Sequence, residues 1–124
     1  MSTFKHRVCP ATGLRIHNSA ENLIKANAVT AIIFLAVGGF FGLMVALTRW
    51  PGVHLLPAEW FYLVLTGHGL DVLLVWIIFF EIAVLYFASA VLLNSRLAAP
   101  RWAWTAFALM LIGAIIVNIA VLQG

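Results

Sequence analysis

Residues 61–81 read FYLVLTGHGLDVLLVWIIFFE. The run is apolar enough to lie in a bilayer, yet it holds His68, Asp71 and Glu81. An ionisable group at the centre of a spanning helix costs about 2.5–3.5 kcal/mol on insertion scales, so such residues usually have a function or a partner. Whether this stretch is a membrane helix decides the fold, and what its histidine does bears on the function.

Outward from this stretch the chain keeps the same character. Hydrophobic residues make up 65% of its 124 residues and charged ones 9%, with a mean hydropathy of +1.09. A soluble domain is about 25% charged. An uncharged run precedes the quoted stretch (Ala26 to Thr48), and a third follows it (Trp102 to Leu122). The middle run, between Glu59 and Arg96, is broken only by Asp71 and Glu81. Each run has the roughly 20 residues that a spanning helix needs. In lipid every backbone N–H and C=O needs an internal partner, which favours helices, and no alternating strand pattern is visible. The expected fold is all-α: an integral membrane protein with three transmembrane helices, part of a larger helical bundle. The helices fall at about 26–48, 60–93 and 101–123 within a domain of residues 26–124, after an N-terminal segment of residues 1–25.

Orientation follows from the basic residues. Lys5, Arg7, Arg15 and Lys25 precede the first helix, Arg96 and Arg101 lie in the second connection, and Arg49 alone lies in the first. By the positive-inside rule the N-terminus is cytoplasmic and the chain's end is outside. Trp50, Trp60, Trp102 and Trp104 fall at interface depth, as an aromatic belt requires. The net charge of +3 is thus accounted for by topology, and no nucleic-acid module, phosphate loop or nucleophilic triad is present. The single Cys9 excludes an internal disulfide. The first residues lack a signal-peptide core. Asn18 with Glu21 fits a capping box at the start of the first helix. His6, Cys9 and His17 match no standard zinc spacing.

His68 lies roughly 10–12 Å below the outer start of its helix. Gly67 and Gly69 flank it, so a neighbouring helix or a flat ligand has room to approach the backbone. Chemistry alone leaves two readings: a neutral imidazole ligating heme iron, or a hydrogen bond to a neighbouring helix with the glycines serving packing. Asp71, at i+3, is placed to accept the other ring proton, to pair with a basic group elsewhere, or to bond a helix carbonyl. Glu81 is about 20 Å further along the axis. It suits either a proton entry path or an interhelical hydrogen bond. Trp76, Tyr86 and Asn118 read as packing or interhelical bonding groups, and Gly38, Gly39 and Gly42 as a close-contact stripe. Arg49 and His54 occupy the external connection, where an arginine serves as an interfacial anchor or pairs with a carboxylate.

The order GGFFGLMVAL, WPG, YLVLTGHG and a short basic turn with APR resembles the start of subunit I of the heme–copper oxidase superfamily, which includes the cytochrome c and quinol oxidases and nitric oxide reductases. The likeness runs from Gly38 to Gly124, through the first three helices of that family. It implies that His68, in the TGHG stretch Thr66–Gly69, is an axial ligand of a low-spin heme, with Gly67 and Gly69 beside the cofactor and Arg49 near its propionates. It further implies electron transfer from cytochrome c or a quinol towards a heme with a copper or iron centre, where oxygen is reduced to water or nitric oxide to nitrous oxide. Glu81 and Asp71 are then candidates for a proton path. The implied partners are the remaining helices of subunit I, other oxidase subunits and membrane lipid, in a bacterial or archaeal plasma membrane. The second axial histidine and the active-site metal ligands belong to later helices of the family, so the chain is expected to be a fragment or split subunit without turnover alone. Two positions depart from the mitochondrial-type branch. Arg96 stands where that branch has an aspartate, and Val45 where it has an arginine contacting a heme formyl group. Both point to a divergent oxidase or nitric-oxide-reducing relative, and the second suits a b-type heme. Two rival readings are a non-catalytic membrane subunit that packs through its glycine stripe, and a homodimeric cytochrome in which two copies of His68 clamp one heme.

Overall fold

The structure is a computed structural model, and it describes residues 6–124; Lys5 and the side chain of His6 lie outside the described part. Three helices are long and apolar enough to cross a membrane: α1 (Asn18–Arg49), α2 (Ala58–Leu92) and α3 (Pro100–Gln123). All-α spans are as the sequence implies, with one addition. The strands β1 (His6–Val8) and β2 (Arg15–His17) form an antiparallel hairpin, in register Arg7 to Ile16. Three residues per strand are too few to show an alternating pattern. The turn closes through Gly13, whose φ of +67 is a left-handed conformation that glycine adopts without penalty.

The hairpin runs directly into α1, which starts at Asn18, ahead of the apolar run. The capping box is not formed. His17 is the cap instead, its Nδ1 accepting from the amide of Ser19 at 3.4 Å and from the Ser19 hydroxyl at 2.7 Å. Glu21 is turned away to a pair of cations, Lys25 at 2.6 Å and Arg7 of β1 at 3.0 Å. Electrostatic pairing across the hairpin wins over the local reach back to the cap. At its other end α1 stops at Arg49, just before Trp50 and Pro51, because a proline disfavours helical geometry in the residue before it. Pro57 caps α2 and Pro100 sits in the first turn of α3, where a missing N–H costs nothing. Asn94, with φ +48, takes the left-handed step that turns the chain out of α2.

Within α2, Asp71–Val75 and Ala88–Leu92 are π-helical. The first stretch has a visible cause. The buried residues Gly67, Asp71, Val75, Phe79 and Ala83 recur every fourth position. In a plain α-helix a four-residue step drifts by about 40°, so the face would wind away from its neighbours. One π-type turn admits an extra residue and turns the helix back by about 100°, keeping these residues in the core. The indole N–H of Trp76 donates to the Val72 carbonyl inside this widened turn.

The core is centred on Phe79, packed with Ala31 of α1, Val75 and Ala114 of α3. Its ring stacks on Phe34 at 6.1 Å and meets Phe107 edge-on at 5.9 Å, so one side chain touches both neighbouring helices. Most other large apolar side chains of the spans are exposed, including Ile32, Phe40, Leu73, Leu109 and Ile116. Such surfaces suit lipid or further helices.

Candidate functional site

α1 and α2 run antiparallel, and two glycines set how close they come. Gly38 and Gly42 stand one turn apart on the face of α1 that meets α2. A Cβ on Gly42 would lie 2.7 Å from Cε1 and 2.9 Å from Nδ1 of His68. A Cβ on Gly38 would lie 2.8 Å from Cγ2 of Val72 and 2.9 Å from Cβ of Asp71. The imidazole therefore occupies the space that a side chain at position 42 would take. From there Nδ1 reaches the carbonyl oxygen of Gly38 at 2.7 Å. A helix carbonyl keeps a second lone pair after accepting its own i+4 amide, so Gly38 can hold this bond as well.

That bond fixes the chemistry of the ring. A carbonyl only accepts, so Nδ1 carries a proton and donates, and in the neutral ring Nε2 keeps its lone pair. His68 is half-buried, and Nε2 has no hydrogen-bond partner among the described residues. It is not sealed in either, unlike Oδ2 of Asp71. Metal-ligating histidines are commonly oriented in this way, with one ring nitrogen held by a backbone carbonyl and the other presented.

The neighbours of His68 divide. Gly67 faces the ring of Phe41, where a Cβ would stand 3.2 Å from Cδ2 and Cε2, so it serves helix contact. Gly69 has nothing within 4 Å of such a Cβ and is open. Gly39 is open too, which removes it from the close-contact stripe and leaves Gly38 and Gly42. The hydroxyl of Thr66 donates to the Tyr62 carbonyl of its own helix.

Asp71 does not accept the ring proton of His68, because the Gly38 carbonyl already does so. Nor does it bond a helix carbonyl or a basic group. Its Oδ1 accepts from Nδ2 of Asn118 on α3 at 2.9 Å, making Asn118 an interhelical bonding group. Glu81 is exposed on the outer surface of α2 beside Phe80, Val84 and Leu85, with no interhelical hydrogen bond among the described residues. Arg49 is exposed, with its guanidinium 5.6 Å from the centre of the Phe61 ring. Phe61 stands seven residues before His68 on the same face of α2, about two turns towards the first connection. His54, in that connection, is exposed with φ +48.

Among the described residues no three His, Cys, Asp or Glu side chains group together as a metal site. His68 is a single presented nitrogen. That suits a metal whose remaining ligands come from elsewhere, as in heme, where the porphyrin supplies four nitrogens and the protein only the axial positions. The role of the Gly38 carbonyl escapes a reading of side chains. Its trace in the sequence is the i, i+4 pair of glycines in GGFFG.

The fold and site thus define an integral membrane protein of several spans whose second helix presents one imidazole of fixed tautomer. Over residues 22–124 the sequence matches the family described as cytochrome c and quinol oxidase polypeptide I, and the chain belongs to that family. No curated protein and no solved structure matches it.

Proposed function

We propose that this chain forms the N-terminal, low-spin-heme side of a heme–copper oxidase-type subunit I, with Nε2 of His68 as an axial ligand of the heme iron. The observation that carries this reading is the His68 Nδ1–H bond to the Gly38 carbonyl, which holds the ring in the tautomer that leaves Nε2 free. When bound, the heme supplies one-electron chemistry. The chain's own residues seat the ligand: Gly42 makes room for the ring, Gly38 orients it, and the packed Phe41–Gly67 contact holds the two helices together. Val45, half-buried three residues from Gly42, offers no hydrogen bond to a formyl group, in keeping with a b-type heme. Arg49 stands at the outer end of the same helix pair, where a heme carboxylate would find a cation.

The electrons would continue to a heme with a copper or iron centre on other helices of the oxidase, and there to oxygen or nitric oxide. No other histidine lies within a membrane span of this sequence, so the second axial ligand comes from another segment or chain. Glu81, exposed within a span, suits a proton path shared with a neighbouring helix. The N-terminus is cytoplasmic in this reading. β2 packs against the last turns of α2, so Arg7, Arg15, Lys25, Arg96 and Arg101 gather at one end of the bundle and Arg49 stands at the other.

A reduced-minus-oxidised visible spectrum of the purified chain beside His68→Ala tests the reading. A heme signal present in the native chain and lost in the variant is expected, low-spin where a second copy or a partner supplies the other axial ligand. A signal that survives the substitution overturns it.

A further inference from the structure

Asp71 and Asn118 make no hydrogen bond to the His68 ring, yet they form a polar contact within an apolar bundle. Asp71 is fully buried, at 0% exposure. Its Oδ1 accepts from Asn118 Nδ2 at 2.9 Å, and the same Nδ2 donates to the Ala114 carbonyl of its own helix at 3.0 Å. Asn118 is therefore fixed to α3 and to α2 at once. Elsewhere α3 is held by apolar packing, with Ala114 as its one buried residue among those described. In lipid such packing fixes depth poorly, because the surrounding tails are as apolar as the helix surface they would replace. A polar pair fixes it well, since sliding leaves the donor and acceptor without partners.

The pair acts where His68 is held. Gly38 meets both α2 residues: its carbonyl accepts from Nδ1 of His68, and its α-carbon is backed by Cβ of Asp71. His68 and Asp71 thus grip one residue of α1 from adjacent turns of α2. Asn118 bonds Asp71 from the third helix.

We propose that Asp71 and Asn118 are positioning residues, a latch by which α3 holds α2 on Gly38 at the depth and rotation that keep the His68 Nδ1–Gly38 bond. The role in heme binding rests on the function proposed above, but the latch acts on the imidazole itself and is readable without heme. Asn118→Leu removes the donor at similar volume. Asp71→Asn keeps an acceptor oxygen. The exchange Asp71→Asn with Asn118→Asp restores a donor and an acceptor with their places reversed.

The test uses the full chain in lipid nanodiscs with ¹⁵N-labelled histidine, the His68 signals being assigned from a His68→Gln control. Without heme, the native chain and Asp71→Asn show a single Nδ1-protonated tautomer. Asn118→Leu shows a mixture, and the exchange variant returns to one tautomer. With heme added, Asn118→Leu loses affinity by about tenfold to a hundredfold, the usual cost of removing support for a metal ligand. A native chain with the single tautomer whose heme affinity is unchanged by His68→Gln overturns the proposed function and leaves the latch standing. Heme binding at His68 with one tautomer and unchanged affinity in Asn118→Leu overturns the latch alone. Mixed tautomers in the native chain also overturn it. If Asn118→Leu fails to fold, the exchange variant decides: one tautomer supports the latch, and a mixture in a folded protein overturns it.

Discussion

The two ends of the helix pair are joined by opposite means. Around His68, contact is made through missing side chains and a backbone carbonyl, with Gly42 and Gly38 leaving no room for a Cβ. At the other end the hairpin is joined to α1 by the Arg7–Glu21 pair, with Lys25 of the same helix sharing the carboxylate. Both cations there are exposed, at 59% and 61% of their side-chain surface. A cleft of about 300 Å³ remains between hairpin, α1 and the last turns of α2. The first arrangement specifies one geometry and admits no substitute. The second tolerates more variation, since its two cations are solvated even though Glu21 is largely covered, and solvated partners leave a pair weak and sensitive to salt.

The sharpest way to break this contrast is Gly42→Val, which puts a branched side chain where the imidazole lies. If His68 ligates heme as proposed, heme retention should fall about tenfold to a hundredfold, measured by pyridine hemochrome in the purified protein. Gly39→Val, with nothing within 4 Å of its Cβ, is the matched control and should retain heme. Gly38→Ala is next. It forces Asp71 and Val72 away and should destabilise the helix pair by about 1–3 kcal/mol in a reversible mixed-micelle unfolding titration. Glu21→Gln should lower the same unfolding free energy by about 1 kcal/mol or less, and raising the salt should erase the difference.

The smallest effect is at Cys9, in the hairpin. The Thr12 hydroxyl, and then the Ala11 and Thr12 amides, stabilise its thiolate and pull the thiol below its ordinary value. A lowered value means more thiolate at neutral pH and faster alkylation. Thr12→Val should raise the value and slow labelling by iodoacetamide less than tenfold, with the difference closing at high pH as the thiol ionises in both proteins. A Thr12→Val rate equal to native at neutral pH would sink this account.

What the sequence made legible follows the same division. The three spans are plain because long apolar runs have one backbone solution in lipid. Gly38 and Gly42 are legible as a close-contact pair. The partner that their spacing exposes is a main-chain oxygen, which no residue letter marks. Asp71 and Asn118 are 47 positions apart, so each is conspicuous alone while their bond is not. Asn18 and Glu21 matched a capping pattern, but Arg7 and Lys25 drew Glu21 away and His17 took the cap. Which way Glu81 points was not legible at all, since a π-type turn lies between it and His68.

That turn gives α2 the character of two keyed shafts on one axle. Removing a single residue from Asp71–Val75 would re-index everything beyond it by about 100° while leaving the first shaft in place. The surface that carries Glu81 can then be re-aimed towards a different neighbour by one codon's loss. The same rotation would carry Phe79 and Ala83 off the core, so the turn couples what the helix offers at one face of the membrane to the packing that holds its middle.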